Sequence, residues 1–217
     1  MQIETTEQLK QEFSLTLSRL SHEIRNPISL INSELQLMAS SHPELCSYSQ
    51  WDSLIDNLEY VKELLNELSD FSHAGTVNLI PTDSRKFLES VLSCEKNTLH
   101  YLGITLETHL ENISTSILLD RVKMRQVLFN LIRNACEAVS LPDGKISVRL
   151  FQADENICIS VEDNGCGMSR EVLSRVKEPF FTTKNNGTGL GITISHEVIQ
   201  GHKGIIKYTS KVELYSK

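Results

Sequence analysis

The sequence predicts an α+β protein in which an antiparallel helical hairpin precedes a layered α/β sandwich. Three observations support this prediction. Residues 1–73 contain no glycine and carry apolar residues at helical spacing, the first glycine and a proline follow within residues 74–81, and alternating β-branched stretches occur only beyond residue 100. We therefore expect a helical domain over residues 1–73, a linker over 74–81 and a sandwich domain over 82–217.

The composition excludes several classes of protein. The chain has 217 residues, 40% of them apolar, and a net charge of −7, which argues against disorder and against nucleic acid or an anionic membrane as the main partner. The polar N-terminus is unlike a signal peptide, and no apolar run reaches the ~18 residues of a membrane span. Five scattered cysteines without a CxxC pair favour reduced thiols. We therefore expect a cytoplasmic protein.

The first 73 residues carry two apolar stripes separated by a polar break over residues 40–43. The first stripe consists of Phe13, Leu17, Leu20, Ile24, Ile28, Ile31, Leu35 and Met38, and the second of Trp51, Leu54, Leu58, Val61, Leu65 and Leu68. Their spacing predicts two amphipathic helices joined as a hairpin. Because a lone hairpin cannot bury both stripes, we expect a second copy of the chain to complete a four-helix bundle as a homodimer.

The second region alternates helix and strand signals. The expected helices are 83–99, 120–139 and 192–200, and the expected strands are 104–109, 116–119, 145–151, 157–162 and 204–209. Asp120 is the expected N-cap of the middle helix because an aspartate at that position can accept hydrogen bonds from the first free N–H groups. The mixture of helices and antiparallel strand pairs predicts a sandwich.

The sequence SHEIRNP, residues 21–27, places a histidine and an asparagine one helical turn apart on the polar side of the first helix. At 100° per residue, His22 and Asn26 point about 165° and 155° away from the mean apolar direction. An exposed imidazole is mostly neutral at pH 7, so a ring nitrogen can act as a nucleophile, and Glu23 can accept the proton. Asn26 can orient a water molecule. Pro27 removes a helical hydrogen bond and predicts a kink beside His22.

Two further stretches place oxygen ligands and glycines at defined positions. In NLIRNACEA, residues 130–138, Asn130, Asn134 and Glu137 share one helix face, and amide oxygens suit a Mg²⁺ ion carried by nucleotide phosphates. In DNGCGM, residues 163–168, Asp163 follows a strand and can accept from an exocyclic amine, while the glycines let a ligand approach the backbone.

A glycine-rich segment, residues 187–191, follows EPFFTTK and precedes a helix. Its free N–H groups and the helix N-terminus favour a phosphate, although the segment matches neither a P-loop nor a dinucleotide fingerprint. Each of these stretches by itself also fits an ordinary helix face or turn. Their spacing leaves both interpretations open.

Taken in order, the motifs resemble those of two-component sensor histidine kinases over nearly the whole chain. SHEIRNP resembles the phosphoacceptor box, NLIRNACEA the asparagine box, DNGCGM and GTGLG two glycine boxes, and EPFFTTK the phenylalanine box. The resemblance implies a dimerisation and phosphotransfer hairpin followed by a Bergerat-type (GHKL) ATP-binding domain. The short segment between Phe181 and Thr188 is similar to the lid of nitrogen-regulation and sporulation kinases.

The resemblance also implies roles for individual residues. His22 would be phosphorylated with Glu23 as general base, and Asn26 would orient water for a phosphatase reaction. On the nucleotide side the implied residues are Asn134 as the Mg²⁺ ligand, Asn130 as its support, Asp163 for the adenine amine, Lys184 for a phosphate, and Gly165, Gly167, Gly187, Thr188, Gly189, Leu190 and Gly191 for the pocket and lid.

The implied function is an autokinase that uses ATP and Mg²⁺ to phosphorylate itself and then passes the phosphoryl group to an aspartate of a response regulator. Family members usually continue beyond Lys217 into a final strand, so the sheet is expected to lack that strand, and the short N-terminal segment predicts no sensor domain. Two alternatives remain. One is an ATPase of the gyrase or chaperone type, which has a glutamate where Asn130 stands, and the other is a non-catalytic dimeric scaffold or phosphotransferase.

Overall fold

The computed structural model describes residues 2–113, 116–184 and 187–211, with side chains described from residue 12. The chain divides into two compact units, Met1–His73 and Ala74–Lys217. Within the described residues, no helix is both long enough and apolar enough to cross a bilayer. The five cysteines are free thiols.

The first unit is a helical hairpin, as predicted. Helix α1 covers Gln2–Ser41 and continues through Pro27, and helix α2 covers Ser49–His73. The polar break contains a 3-10 helix, Pro43–Ser47, which the sequence did not predict. A five-residue helix shows no apolar period, so only the proline at its start could have indicated it.

The two helices pack through a row of mostly small or polar α1 residues. The half-buried and buried members of this row are Ser14, Leu17, Ser18, Ser21, Arg25, Ile28, Asn32, Leu35 and Ala39. A neighbouring row of large apolar side chains, 45–50% exposed, consists of Phe13, Leu20, Ile24, Ile31 and Met38. The hairpin therefore buries only part of the predicted stripe.

The second unit has the expected mixture of helices and strands. In chain order its elements are β1 (Ile80–Thr82), α3 (Ser84–Tyr101), β2 (Thr105–Leu110), β3 (Ile117–Leu119), α4 (Arg121–Ala138), β4 (Lys145–Ala153), β5 (Asn156–Asp163), α5 (Arg170–Arg175) and α6 (Gly191–Gly201). Strands β1 and β3 form an antiparallel pair. The larger sheet has the order β2-β4-β5, with β4 parallel to β2 and antiparallel to β5.

Strand β4 shows how alternation builds the core. Ile146, Val148 and Leu150 are fully buried, whereas Arg149 between them is exposed. Helices α3 and α4 pack on the larger sheet, and α6 packs on α4. Burying one face of the sheet under helices leaves its other face to charged pairs. The α+β class predicted from the sequence is confirmed.

The prediction of a strand over residues 204–209 was wrong. Residues 204–211 contain no strand, and within the described residues β5 pairs only with β4. Instead of a backbone ladder, the segment makes a side-chain contact in which the Met168 N–H donates to Ser210 Oγ at 2.7 Å. Alternating apolar residues indicate a strand only when a neighbouring strand edge lies within hydrogen-bond distance. The expected loss of a final strand concerns residues outside the described range.

Asp120 caps α4, as predicted, and also ties three segments of the second unit together. Its carboxylate accepts from the N–H groups of Val122 and Lys123, each at 3.1 Å, and from that of Asn78 at 2.8 Å. Its own N–H donates to Nε2 of His202, at the end of α6, at 2.9 Å. Burial opposes ionisation of Asp120, but these N–H donors and the nearby His202 outweigh it and hold the pKa of the carboxyl below its ordinary value.

Replacing Asp120 by alanine is expected to destabilise the second unit by about 2–4 kcal/mol, because the change removes the cap and leaves the Asn78 N–H without its acceptor. A lowered folded-state pKa stabilises the unit above the unfolded value of about 3.9, and this stabilisation is lost as the pH falls through the folded pKa. Urea unfolding should therefore show a wild-type advantage at pH 7 that shrinks below about pH 4. An advantage independent of pH would contradict a role for the charge.

Candidate functional site

His22 lies on the exposed side of α1, as its predicted direction requires. Its neighbour Ser21 is 1% exposed, and Arg25, one turn later, donates from Nη2 to the Leu65 carbonyl at 3.3 Å and to Asn66 Oδ1 at 3.1 Å. Because Ser21 and Arg25 face α2, the residue that follows each of them lies about 100° further round the helix, at the side of that contact. His22 is exposed, and no described residue hydrogen-bonds its ring.

The other predicted residues of this motif share the exposed surface. Glu23, Asn26 and Pro27 are all exposed, and Asn26 follows His22 by one helical turn. The surface therefore presents an imidazole, a carboxylate and an amide with their polar atoms available to another molecule. Among the described residues of the first unit, none hydrogen-bonds the side chains of His22, Glu23 or Asn26.

In the second unit, one polar row of α4 runs from Asn130 to the helix end. At its start, Asn130 Nδ2 donates to Ser195 Oγ at 2.9 Å, and the Ser195 hydroxyl donates to the Gly191 carbonyl at 2.9 Å. Asn130 Oδ1 lies so close to Gly191 that a Cβ there would overlap it. The first turn of α6 is thus fixed against the asparagine motif.

One turn further along α4, the row meets Lys184. The Lys184 ammonium group donates to Asn134 Oδ1 at 2.8 Å and contacts Glu137 Oε2. The other Glu137 oxygen accepts from Arg133 Nε at 3.2 Å. A protein cation therefore occupies the face on which the sequence predicted Mg²⁺ ligands.

At the end of α4, the row meets the loop that follows β5. The Cys166 N–H donates to the Ala138 carbonyl at 3.0 Å, and a side chain at Gly165 would overlap that carbonyl. The Gly165 N–H donates to Asp163 Oδ1 at 2.9 Å, which closes a tight turn at the strand end. Asp163 is exposed, and its Oδ2 accepts no hydrogen bond from a described residue.

The glycine-rich segment is anchored by backbone contacts at its far end. Gly189 has φ +69°, and a Cβ at this position would overlap the backbone of Phe180 and Phe181. The Phe180 N–H donates to the Gly189 carbonyl at 3.2 Å, and the Arg175 guanidinium lies 4.2 Å from the Phe181 ring centre. Only glycine fits this left-handed, crowded position.

The remaining predicted residues lie around the same loops. Gly167 has a positive φ, the Gly187 N–H donates to the Lys184 carbonyl at 3.3 Å, and the Leu190 N–H donates to Thr188 Oγ1 at 3.2 Å. Leu190 is buried and precedes α6. The motifs of the second unit therefore contact α4 at three successive positions, Asn130, Asn134 and Ala138.

Two open clefts lie on the charged face of the larger sheet rather than at the glycine-rich segment. The larger, about 590 Å³, is lined by residues that include His109, Glu111 and Arg149. The smaller, about 300 Å³, is lined by residues that include Lys145 and Asp163. Their charged residues form pairs across the sheet, for example Lys145 with Glu107 at 2.7 Å. Neither cleft contains a residue of the glycine-rich segment or of α4, and only the smaller one reaches the candidate site, through Asp163.

Two residues of the site were not identified from the sequence. Glu137 was placed on the correct helix face without a role, and Ser195 was not singled out. Their partners are 47 and 65 residues away in the chain, so no local spacing could indicate these contacts. The only sequence signal was the position of Glu137 one turn after Asn134.

The donor atoms fit a divalent cation held jointly with a phosphate group. Asn134 and Glu137 offer a neutral and a charged oxygen, the ligand types that Mg²⁺ prefers, and they already hold the Lys184 ammonium group. Among the described residues, no cluster of three or more histidine, cysteine or acidic side chains could hold a metal by itself. The pair of Asn134 and Glu137 therefore suits an ion whose remaining oxygen ligands come from a phosphate group.

Comparison with known proteins agrees with this geometry. Residues 119–216 match the family described as histidine kinase-, DNA gyrase B- and HSP90-like ATPase. The chain is 32% identical over 197 residues to sporulation kinase A of Bacillus subtilis 168 and 28% identical over 195 residues to the signal transduction histidine-protein kinase AtoS of Escherichia coli K12. Each match covers 89% of this chain and 32% of the relative, so the chain spans about a third of these relatives.

A solved structure shows the same fold. ShkA, crystallised at full length with AMPPNP, superposes with a TM-score of 0.71 over 86% of this chain and 40% of ShkA, at 24% identity. The family match and the kinase relatives confirm the predicted resemblance to the catalytic core of the sensor histidine kinases, whereas the likeness to ShkA shows the fold alone. Residues 119–216, within the second unit, carry the match to the ATPase-type family.

Proposed function

We propose that the chain is an ATP-dependent protein-histidine kinase that phosphorylates His22. The observation that carries the proposal is the polar row of α4, where Asn130, Asn134 and Ala138 each contact a different motif of the second unit. Three motifs far apart in sequence meet along one helix, as expected if they serve one ligand. An exposed imidazole in the first unit supplies an acceptor for the phosphoryl group.

The nucleotide would use groups that the second unit leaves available. Asp163 Oδ2 can accept from the adenine amine, and the N-terminus of α6, an 11-residue helix, favours the phosphates. Asn134 would bind Mg²⁺, with Asn130 held in place by Ser195 as its support. The ion, when bound, would neutralise phosphate charge.

In the first unit, a His22 ring nitrogen would attack the γ-phosphorus in line, the bond from that phosphorus to its bridging oxygen would break to release ADP, and Glu23 would accept the ring proton. Positioning and charge neutralisation supply most of the rate in such transfers, so the exposed imidazole needs little help beyond correct placement. The phosphoryl group would then pass to an aspartate of a response regulator that docks on the exposed face around His22. Asn26, one turn away and also exposed, would orient water for a phosphatase reaction on that regulator.

The exposed apolar row of α1 supports a homodimer. Five large side chains between Phe13 and Met38 remain 45–50% exposed on one side of the hairpin. A matching row on a second copy would bury them in a four-helix bundle. Sedimentation equilibrium measures the assembly directly, and a monomer at micromolar concentration would rule out the bundle.

The proposal is tested with γ-labelled ATP and MgCl₂. The purified chain is expected to gain label that is stable in alkali and lost in acid, as phosphohistidine is, and mass spectrometry should place it on residue 22. Label at another residue would overturn the assignment of His22.

Two observations separate this function from the alternatives. A gyrase- or chaperone-type ATPase needs a carboxylate base at residue 130, whereas Asn130 carries an amide that donates to Ser195. Steady ATP turnover without phosphoprotein would favour that class. A scaffold without catalysis predicts no binding of a fluorescent ATP analogue.

Replacing Gly189 by alanine is expected to weaken nucleotide binding about tenfold or more. A Cβ would overlap the Phe180 and Phe181 backbone and would strain a residue at φ +69°, so the segment must move. Titration with a fluorescent ATP analogue measures the loss. Gly75, which has open space around its Cβ position, is the matched control, and its alanine variant should bind normally. Equal affinity of the two variants would contradict the role of residues 187–191.

A further inference from the structure

Lys184 has two contacts that the proposed phosphate role does not explain. Its ammonium group donates to Asn134 Oδ1 at 2.8 Å and contacts Glu137 Oε2, and both acceptors project from α4 one turn apart. An ammonium group is a compact cation with three donors, so it can satisfy two oxygens at once. The Lys184 ammonium group therefore lies against Oδ1 of Asn134, the proposed metal ligand.

We propose that Asn134 and Glu137 form a two-oxygen cation site, which the Lys184 ammonium group fills until a divalent cation competes for it and which it must leave before Asn134 can accept that cation. The proposal rests on the proposed function, in which Asn134 is the Mg²⁺ ligand. It adds Glu137 as the charged half of the site and gives Lys184 a second position.

Competition follows from the size and charge of the two cations. Mg²⁺ binds oxygen at about 2.1 Å, whereas the lysine nitrogen lies 2.8 Å from the same amide oxygen. Two cations on one neutral oxygen repel each other, and the single carboxylate of Glu137 is already shared with Arg133. The site therefore holds the lysine or the metal, and the released lysine can turn to a phosphate.

The surroundings allow the exchange. The Lys184 and Glu137 side chains are 46% and 39% exposed, so water can replace either partner and the pair is readily broken. The chain around Lys184 is a local turn, in which its own N–H donates to Thr182 Oγ1 at 3.0 Å. The lysine can leave α4 by side-chain rotation while this turn stays in place.

The test follows the reactivity of Lys184 toward trace acetic anhydride in the nucleotide-free protein, read by mass spectrometry against the exposed Lys203. Glu137→Gln keeps the side-chain size and removes the charge, and it should raise the relative labelling of Lys184 about two- to fivefold, the range expected for an exposed ion pair. Arg133→Gln is the matched control. It removes the other cation from the same carboxylate and should leave Lys184 labelling unchanged or lower. No rise in Glu137→Gln, or an equal rise in both variants, would overturn the site.

A second arm tests competition. Millimolar MgCl₂ should raise Lys184 labelling in the wild-type protein compared with NaCl at equal ionic strength, and it should have little effect in Glu137→Gln. An unchanged wild-type rate would show that metal and lysine do not compete. Binding of a fluorescent ATP analogue is measured on the same samples. If the wild-type protein binds the ATP analogue but MgCl₂ does not change Lys184 labelling, only the cation site is refuted. If the wild-type protein does not bind the analogue, the proposed function is refuted.

Discussion

Replacing His22 by glutamine is expected to reduce transfer of label from γ-labelled ATP to background. Glutamine has no ring nitrogen that can attack phosphorus, although it is polar and suits an exposed helix position. His22 is exposed and no described residue hydrogen-bonds its ring, so the change should leave the hairpin intact. Binding of a fluorescent ATP analogue should be unchanged because all proposed nucleotide ligands lie in the second unit. Circular dichroism and sedimentation confirm the helical content and the assembly of the variant.

His42 provides the matched control for this experiment. It is also an exposed histidine of the first unit beside a carboxylate, with Nδ1 at 3.1 Å from Glu44 Oε1. His42→Gln should keep full labelling. An imidazole next to a carboxylate does not suffice for phosphorylation unless it also has the position of His22 on α1. Persistent acid-labile label in His22→Gln would move the acceptor to another histidine. Equal loss in both variants would indicate damage to the hairpin as a whole.

The hairpin was predictable because a period of three to four residues runs from Phe13 to Met38, about seven helical turns of α1. The period indicates which side of α1 is apolar, but it does not indicate which side packs against α2. In the structure, α2 covers the row that contains Ser21 and Arg25, while Ile24 and its large apolar neighbours stay exposed. Small side chains allow two helices to approach closely, and this depends on both helices together rather than on either sequence alone.

The second unit was predictable where an element carries its own signal. Asp120 indicated the start of α4, and the alternation of apolar and polar residues indicated β4. Residues 204–209 alternate as well, yet they form no strand, since alternation alone does not bring a segment into register with a partner strand. Helix α5 is six residues long, too short to show a helical period.

The site was predictable as a set of motifs but not as a set of contacts. Order and spacing identified Asn130, Asn134 and Asp163, since these residues belong to recognisable stretches. The contacts of Glu137 with Lys184 and of Ser195 with Asn130 depend on how α6 and residues 180–184 fold back onto α4. Such long-range contacts are set by the fold and leave no local pattern.

Replacing Asn134 by alanine is expected to lower the rate of Mg²⁺-dependent self-labelling at least about 100-fold. The amide oxygen of Asn134 accepts from the Lys184 ammonium group, and a methyl group cannot replace it as a ligand. Alanine favours the helix, and the residue is only half-buried, so α4 should keep its stability. Arg133→Ala on the neighbouring helix position is the control and should retain labelling within a few-fold.

The diagnostic measurement is the metal dependence of nucleotide affinity rather than the rate alone. In the wild-type protein, EDTA should weaken binding of a fluorescent ATP analogue, because Mg²⁺ links the phosphates to Asn134. In Asn134→Ala this link is lost, so affinity should be low with Mg²⁺ and nearly unchanged by EDTA. A variant that labels slowly but still responds to EDTA as the wild type does would move the metal ligand elsewhere on α4. Asn130, one turn earlier and held by Ser195, would then be the residue to test, since its Oδ1 is the next amide oxygen on the same face.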